Sequence, residues 1–374
     1  MIRQKKILVL VSNDLVTDQR VFRICNSMHT ANFKVELWGR CRTNSMNLPA
    51  WPWKSKRFNL LIETGPFFYL FLTITFFFKL LFSKFDVVYA NDLDTLLPAY
   101  LICKLKGKEL IYDTHEYFTG VPELADRPRV RAVWETIESY IFPKLKNVFT
   151  VNDSIAELYN TKYHLKPLVM RNIPIAEKID LHSSRLELGL PTHQFLIILQ
   201  GNGINIQRGG EEAVEMMKYL EGCCLVIVGA GDVIPILKNM VKKENLGNKV
   251  LFFPRMTYNQ LLQYTLNCDL GLSLDKPTNI NYQLSLPNKL FDYIRAEIPV
   301  LASNLVEVRN IVTQYQVGEI VTSYEPEYLA LKINELKNNK VLLETYKSNC
   351  KKAKHQLTWE NESLTLINLL TYLN

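Results

Sequence analysis

Eleven short apolar runs, each of strand length, recur along this 374-residue chain with helix-length segments between them. The first series lies at residues 7–11, 35–38, 87–90, 109–112, 148–151 and 168–170. After a polar stretch at 171–190, bracketed by Pro174 and Pro191, the pattern restarts at 195–200, 224–228, 250–253, 270–273 and 300–302. Unbroken Val/Ile/Leu runs separated by helices belong to parallel strands covered on both faces, and two such series imply two doubly wound α/β domains. The predicted division is residues 1–175, 190–352 and a last segment, 353–374, packed back on the first domain. The length agrees, since a single core usually stops growing near about 250–300 residues.

Hydrophobic residues make up 48% of the chain and charged residues 22%, which excludes a disordered protein. The seven cysteines form no Cys-x-x-Cys pair and no zinc-like spacing, which favours a reducing cytosol and no metal site. The opening run Ile7-Leu-Val-Leu-Val11 imitates a secretory signal but is shorter than the about 7–15 apolar residues such a core needs.

Charge is uneven. Residues 1–84 hold 13 basic and 4 acidic side chains. The same region contains residues 67–82, FFYLFLTITFFFKLLF, which as a helix would be about 24 Å long against about 30 Å of hydrocarbon. That is too short for a comfortable span. With apolar residues all round, the segment is either a buried helix or one lying in a membrane surface. Lys54, Lys56, Arg57 and Lys84 beside it tilt the expectation toward peripheral contact with an anionic membrane.

Ligands of open α/β sheets bind beyond the carboxyl ends of the strands. There the sequence places Asn91-Asp92, Asp113-Thr-His115-Glu116, Asn152-Asp153 and Arg171-Asn172 in the first series. The second series has Gly201-Asn202-Gly203 with Arg208-Gly209-Gly210, then Gly229-Ala-Gly231. So many polar strand ends in two domains point to a shared cleft. Glycines let backbone approach a phosphate, and the guanidinium of Arg208 can bind two oxygens at once. Gly229-Ala-Gly231 lacks the third glycine of a dinucleotide fingerprint and reads as a turn near the same ligand. His115 could donate to a developing negative charge, with Asp113 or Glu116 orienting it or taking a proton. Further on, Leu286-Pro287-Asn288-Lys289-Leu-Phe-Asp292 opens a short helix. Its start can hold an anion, and Asp292 one turn later can hold sugar hydroxyls, unless it merely faces solvent.

These residues resemble a known family. Ser285-Leu-Pro-Asn-Lys-Leu-Phe-Asp-Tyr293, Gly201 to Gly209, Val228-Gly-Ala-Gly231 and Tyr112-Asp-Thr-His-Glu116 are similar, in order and spacing, to family four of the retaining glycosyltransferases, which have the GT-B fold. The end fits too, with Trp359-Glu-Asn-Glu362 leading into a last apolar helix. The resemblance implies transfer of a sugar from a UDP- or GDP-sugar with the anomeric configuration retained, no metal and no cofactor. It gives Arg208 the donor diphosphate, Asp292 the ribose and His115 the reacting sugar. Met256, in Phe253-Pro-Arg-Met256, falls near the base. The chain departs from the pattern in three places. Leu284 stands where a second carboxylate is usual, Asn202 where a second basic residue is common, and Ser12-Asn13-Asp14 replaces a Gly-Gly pair, with Asn13 or Arg20 as candidate substitutes.

The expected protein is therefore a cytoplasmic, membrane-associated glycosyltransferase acting on a glycan or lipid-linked acceptor, with no nucleic-acid partner. Asn13, Arg20, Asp92, Asp113 and Glu116 are candidates for the acceptor side. A sugar-nucleotide 2-epimerase of the same architecture, or a non-catalytic subunit, remains an alternative, the latter because of Leu284.

Overall fold

The computed structural model describes residues 4–16, 18–43, 45–121, 124–176 and 182–373. The chain divides into two compact units. One comprises residues up to Asn172 together with those from Trp359 on, and the other is Ile173–Thr358.

The first unit is built on a parallel sheet of β1 (Lys6–Leu10), β2 (Lys34–Cys41), β3 (Lys54–Asn59), β4 (Val87–Asn91), β5 (Glu109–Thr114), β6 (Asn147–Thr150) and β7 (Leu168–Val169). Its order is β3-β2-β1-β4-β5-β6-β7. The central strands β1 and β4 are buried nearly throughout because helices cover both faces, which is why their sequences are apolar without alternation. β3 breaks that rule. It is an edge strand of sequence KSKRFN, paired only with β2 through a parallel ladder, and periodicity gave no hint of it.

That edge gives part of the basic cluster partners within the unit. Lys56 was counted toward a membrane-facing charge, yet its ammonium lies 2.7 Å from the Glu36 carboxylate on β2, and Arg57 lies 2.9 Å from Asp14. Glu36 also takes Lys6 at 2.6 Å and the Trp38 indole N–H at 2.9 Å. Burial alone would raise its pKa, but these donors bring it down to about 2. Arg57 is thus held within the unit, while Lys56 keeps 54% of its side chain exposed.

Residues 65–81 do form a helix, Gly65–Leu81, with Pro66 in its first turn. Phe68, Leu72, Phe76 and Leu80, spaced four apart, face inward, and the helix packs on its neighbour Leu93–Lys106. The Tyr69 ring meets Trp134 of the helix Pro128–Ile141, centroids 5.0 Å apart. A second stripe, Phe67, Leu70, Ile74 and Phe78, stays 43–63% exposed. The segment is a core helix on one face and leaves an apolar stripe exposed on the other. Among the described residues, no helix is long and apolar enough to cross a membrane.

The last helix, Trp359–Tyr372, belongs to this first unit and packs on the helix Gln19–Thr30. Trp359 donates its indole N–H to the Ser27 hydroxyl at 2.8 Å. Arg171 donates its backbone N–H to Glu362 at 2.8 Å and its Nε–H at 3.0 Å.

The second unit holds β8 (Phe195–Gly201), β9 (Cys223–Gly229), β10 (Val250–Phe253), β11 (Leu270–Ser273), β12 (Val300–Ser303) and β13 (Gly318–Val321), all parallel, in the order β10-β9-β8-β11-β12-β13. Alternate residues feed two apolar layers. Leu196, Ile198, Cys224 and Val226 join one with Leu290, Phe291 and Ile294, while Ile197, Leu199, Leu225 and Ile227 join the other. Short β13 at the edge is the second strand the periodicity missed.

The helix Asn288–Arg295 is pinned to this sheet by Tyr293, whose buried hydroxyl donates toward the carbonyls of Leu272 (3.1 Å) and Ile198 (3.3 Å). Its ring lies so close to β11 that a Cβ on Gly271 would come within 2.4 Å of it. The absence of a side chain at Gly271 therefore sets the height of the helix above the sheet. Gly271→Ala is expected to destabilise the protein by about 1–3 kcal/mol, the usual cost of overpacking a core, read as a lowered midpoint in denaturant unfolding. An unchanged midpoint would show that the helix can shift without cost.

Candidate functional site

In the second unit a cavity of ≈ 310 Å³ lies at the carboxyl end of β8. Gly201-Asn202-Gly203, Arg208 and the segment Leu286–Lys289 form much of its wall. The glycine turn keeps its shape through backbone alone. The Ala230 N–H donates to the Gly201 carbonyl at 3.0 Å, and the Ile204 N–H donates back to the Ala230 carbonyl at 2.9 Å. Gly229 and Gly231 explain themselves there, because a Cβ on either would sit 1.9 Å from a backbone oxygen, that of Gly201 or Ile204. Both lie outside the cavity wall, as does Met256.

Arg208 sits where that turn meets the segment after β11. Gly209, with φ +77°, brings its Cα against Leu274, and the Lys276 N–H donates to the Gln207 carbonyl at 2.9 Å. The guanidinium lies 4.7 Å from the Tyr282 ring centroid. It also reaches Asp275 Oδ1 at 3.3 Å, while Lys289 reaches the other oxygen, Oδ2, at 2.9 Å. Asp275 is a functional candidate that sequence reasoning missed, because nothing local distinguishes it from any polar residue after a strand.

Among the described residues, no side chain caps the helix Asn288–Arg295, which begins after Pro287 at the N-cap position. Its first residues, Asn288 and Lys289, line the cavity, so the positive end of the helix and two cations converge on one space. Asp292 does not face solvent. It is buried just behind the wall, accepting from Tyr258 Oη at 2.7 Å and from Gln200 Nε2 at 3.2 Å, and Gln200 itself lines the cavity.

In the first unit the candidates split into two groups. Asp92 and His115 come together at the ends of β4 and β5. Asp92 accepts the His115 backbone N–H at 3.0 Å and faces His115 Nδ1 at 3.3 Å. The other ring nitrogen lies 3.2 Å from Asn91 Oδ1 and 3.5 Å from Asp113 Oδ2. Burial alone would lower the His115 pKa, but the Asp92 charge and the contacts with Asp113 more than offset it and bring it up to about 9. The imidazole is thus charged at neutral pH and acts as a donor, not as a base. Asp92 holds φ +59°, a conformation costing about 1–3 kcal/mol off glycine, and the contacts with His115 keep it there.

Arg20 and Asp113 form the second group, and here the structure corrects the sequence. Arg20, 3% exposed, donates its Nε and Nη2 to the two oxygens of Asp113 at 3.0 and 2.8 Å, and its Nη1 to the Met170 carbonyl at 2.8 Å. It therefore cannot replace a missing phosphate contact. Asp113 also accepts from Tyr89 Oη at 2.9 Å. Burial would raise its pKa, but Arg20 and His115 hold it well below the ordinary carboxylate range, so it orients and takes no proton. Glu116 and Asn13 are exposed, and the Asn13 carbonyl accepts from the Arg40 N–H at 3.3 Å. Asp94, two residues after Asp92, is buried with Oδ1 unpaired among the described residues. Burial, helped by the Asp92 charge, pushes its pKa up to about 7.

Comparison with known proteins adds a family match for the second unit. Residues 193–356 match the family model described as glycosyl transferases group 1. No curated protein sequence matches the chain. Solved structures similar over its whole length include a sucrose-phosphate synthase from Thermosynechococcus elongatus, 17% identical, TM-score 0.79, with 99% of each chain covered. HepE of Anabaena in complex with UDP-glucose is 15% identical, TM-score 0.76, covering 99% of this chain and 100% of that one. WaaG, a glycosyltransferase involved in lipopolysaccharide biosynthesis, is 14% identical, TM-score 0.71, covering 98% and 99%. The second unit thus matches group 1 glycosyl transferases over residues 193–356, and the two parallel-sheet units with this likeness give the chain the GT-B fold.

Proposed function

We propose that the protein transfers a sugar from a nucleotide diphosphate sugar to a lipid-linked glycan acceptor, with retention of configuration and without a metal. The observation that carries this is the cavity of the second unit, where Arg208, Lys289 and the start of the helix Asn288–Arg295 supply positive charge around a glycine turn. Those three features suit a diphosphate, and Asp292 behind Gln200 suits a ribose. HepE, of the same fold, has been solved with UDP, with UDP and glucose, and with UDP-glucose. The names of WaaG and of WaaB, a lipopolysaccharide outer core galactosyltransferase, support a glycan acceptor.

The leaving diphosphate's charge would be met by Arg208, Lys289 and backbone N–H groups, donors fixed before the reaction. His115, in the first unit, is itself held as a charged donor. The exposed stripe Phe67, Leu70, Ile74 and Phe78, with Lys79 and Lys84 exposed beside it, supports peripheral contact with an anionic membrane at the cytoplasmic face.

A thermal-shift screen separates UDP from GDP, since a ligand at 100 times its dissociation constant stabilises by about 2.7 kcal/mol. Arg208→Ala is expected to lower turnover by roughly 10²–10³, the loss typical of one charge-stabilising donor. His115→Ala should lower turnover more than donor affinity. Full activity in both variants would overturn the assignment, and isomerisation of a sugar nucleotide without acceptor would reveal an epimerase instead.

The charge on His115 also has a pH signature. Its folded pKa is raised above the ordinary 6.5 to about 9, so the stability it contributes is complete below about pH 6.5 and disappears as pH rises through about 9. Stability measured from pH 6 to 10 should fall across that window, and His115→Gln should flatten the fall. Turnover that depends on the imidazolium should decline over the same upper limb.

For the membrane, Phe78→Glu combined with Ile74→Glu should abolish co-sedimentation with vesicles containing phosphatidylserine. Equal sedimentation of wild type and variant would remove this part of the proposal.

A further inference from the structure

Asp275 has no place in the proposed chemistry, yet it is the best-buried charge beside the cavity. Its side chain is 2% exposed and stands behind the wall, outside the lining. Each of its oxygens meets a different cation, Oδ1 the Arg208 guanidinium at 3.3 Å and Oδ2 the Lys289 ammonium at 2.9 Å. Both cations line the cavity, Lys289 with 11% and Arg208 with 33% of its side chain exposed. The carboxylate is rigidly mounted. Tyr324 Oη donates to the Asp275 carbonyl at 3.1 Å, and the next residue, Lys276, is tied to Gln207 by its N–H and to Glu212 by its ammonium.

One carboxylate facing two cations, one oxygen to each, is also how a phosphate group would face them. Asp275 thus satisfies the same two side chains that an incoming diphosphate needs. We propose that Asp275 is a built-in counter-anion that competes with the donor's diphosphate for Arg208 and Lys289, positioning both cations in the empty site and weakening retention of the nucleotide product. This rests on the reading of the cavity as a diphosphate site.

The thermodynamics are those of linkage. In the empty protein the carboxylate offsets two partly desolvated cations, and losing it leaves them uncompensated. An external anion then restores what was lost, so the same substitution that destabilises the empty protein strengthens anion binding. Coupling is reciprocal, so whatever Asp275 contributes to holding the two cations is subtracted from the diphosphate's affinity.

Calorimetric titration of the full chain with inorganic pyrophosphate and with UDP tests this. Asp275→Asn is expected to lower the melting temperature of the empty protein and to bind both probes about tenfold more tightly, within the usual 5–150-fold range for coupled sites. Its turnover should fall with stronger inhibition by the nucleotide product. Affinity equal to or weaker than wild type overturns the proposal and leaves Asp275 as a purely structural ion-pair partner. If Asp275→Asn alone does not fold, the comparison moves to Lys289→Gln against Lys289→Gln/Asp275→Asn, which removes one charge of each sign. The double variant must bind pyrophosphate more tightly than the single one, and equality again overturns it. Failure of wild type to bind either probe would instead refute the diphosphate site itself, a result distinct from an unaltered Asp275→Asn affinity.

Discussion

Parallel pairing is the constraint from which the rest of this structure follows. Every neighbouring pair of strands in both sheets is parallel, so all carboxyl ends lie along one edge of each sheet. A chain leaving that edge must turn, start a helix and satisfy its backbone there, so polar residues and glycines collect at it. In the first unit the strand order reverses direction between β1 and β4, and Asn91 ends β4 with Asp92 after it and His115 just beyond adjacent β5. In the second it reverses between β8 and β11, and the glycine turn follows β8 while Asp275 follows β11. The candidate residues are gathered by strand order before any side chain is considered.

The two units treat buried charge in opposite ways. Around Asp113 the account is closed, since Arg20 gives it two hydrogen bonds, Tyr89 one, and His115 faces it as a cation. Breaking a buried pair of this kind typically costs about 3–5 kcal/mol, so the cluster fixes geometry and has little freedom to exchange partners. In the second unit the buried carboxylates stand behind the cavity wall and the cations line it. Two cations share one carboxylate, and the helix start adds further positive potential. Both cations and the helix start face open volume, which is what the proposed diphosphate site requires.

What the sequence showed and hid divides along physical lines. Interior strands were legible because burial on both faces demands unbroken Val/Ile/Leu runs, as in β1, β8 and β9. Of the four edge strands, β7 and β10 kept apolar runs and were legible, whereas β3 and β13 were not, since an edge has one neighbour and tolerates KSKRFN or GEIV. The helix Gly65–Leu81 was legible as a helix, but its composition could not say which stripe faced the core. Asp292 was placed on the correct helix, yet its burial depends on Tyr258 and Gln200, 34 and 92 residues away in sequence. Arg20 was misjudged for the same reason, because its partner Asp113 lies 93 residues off. Contacts of that range leave no periodic trace.

Long-range contact also changes the meaning of Asn202. A turn residue with no charge looked like a loss of phosphate contacts, and the turn itself is held by backbone bonds to Ala230 that leave Asn202 exposed at its tip. The second cation comes instead from Lys289, at the start of a helix fixed to the sheet by Tyr293 and by the missing side chain of Gly271. A cation rooted on that helix loses less freedom on meeting an anion than one carried on a loop tip would. Its position is set by core packing, so the shape of the cavity and the stability of the second unit's core depend on the same few contacts.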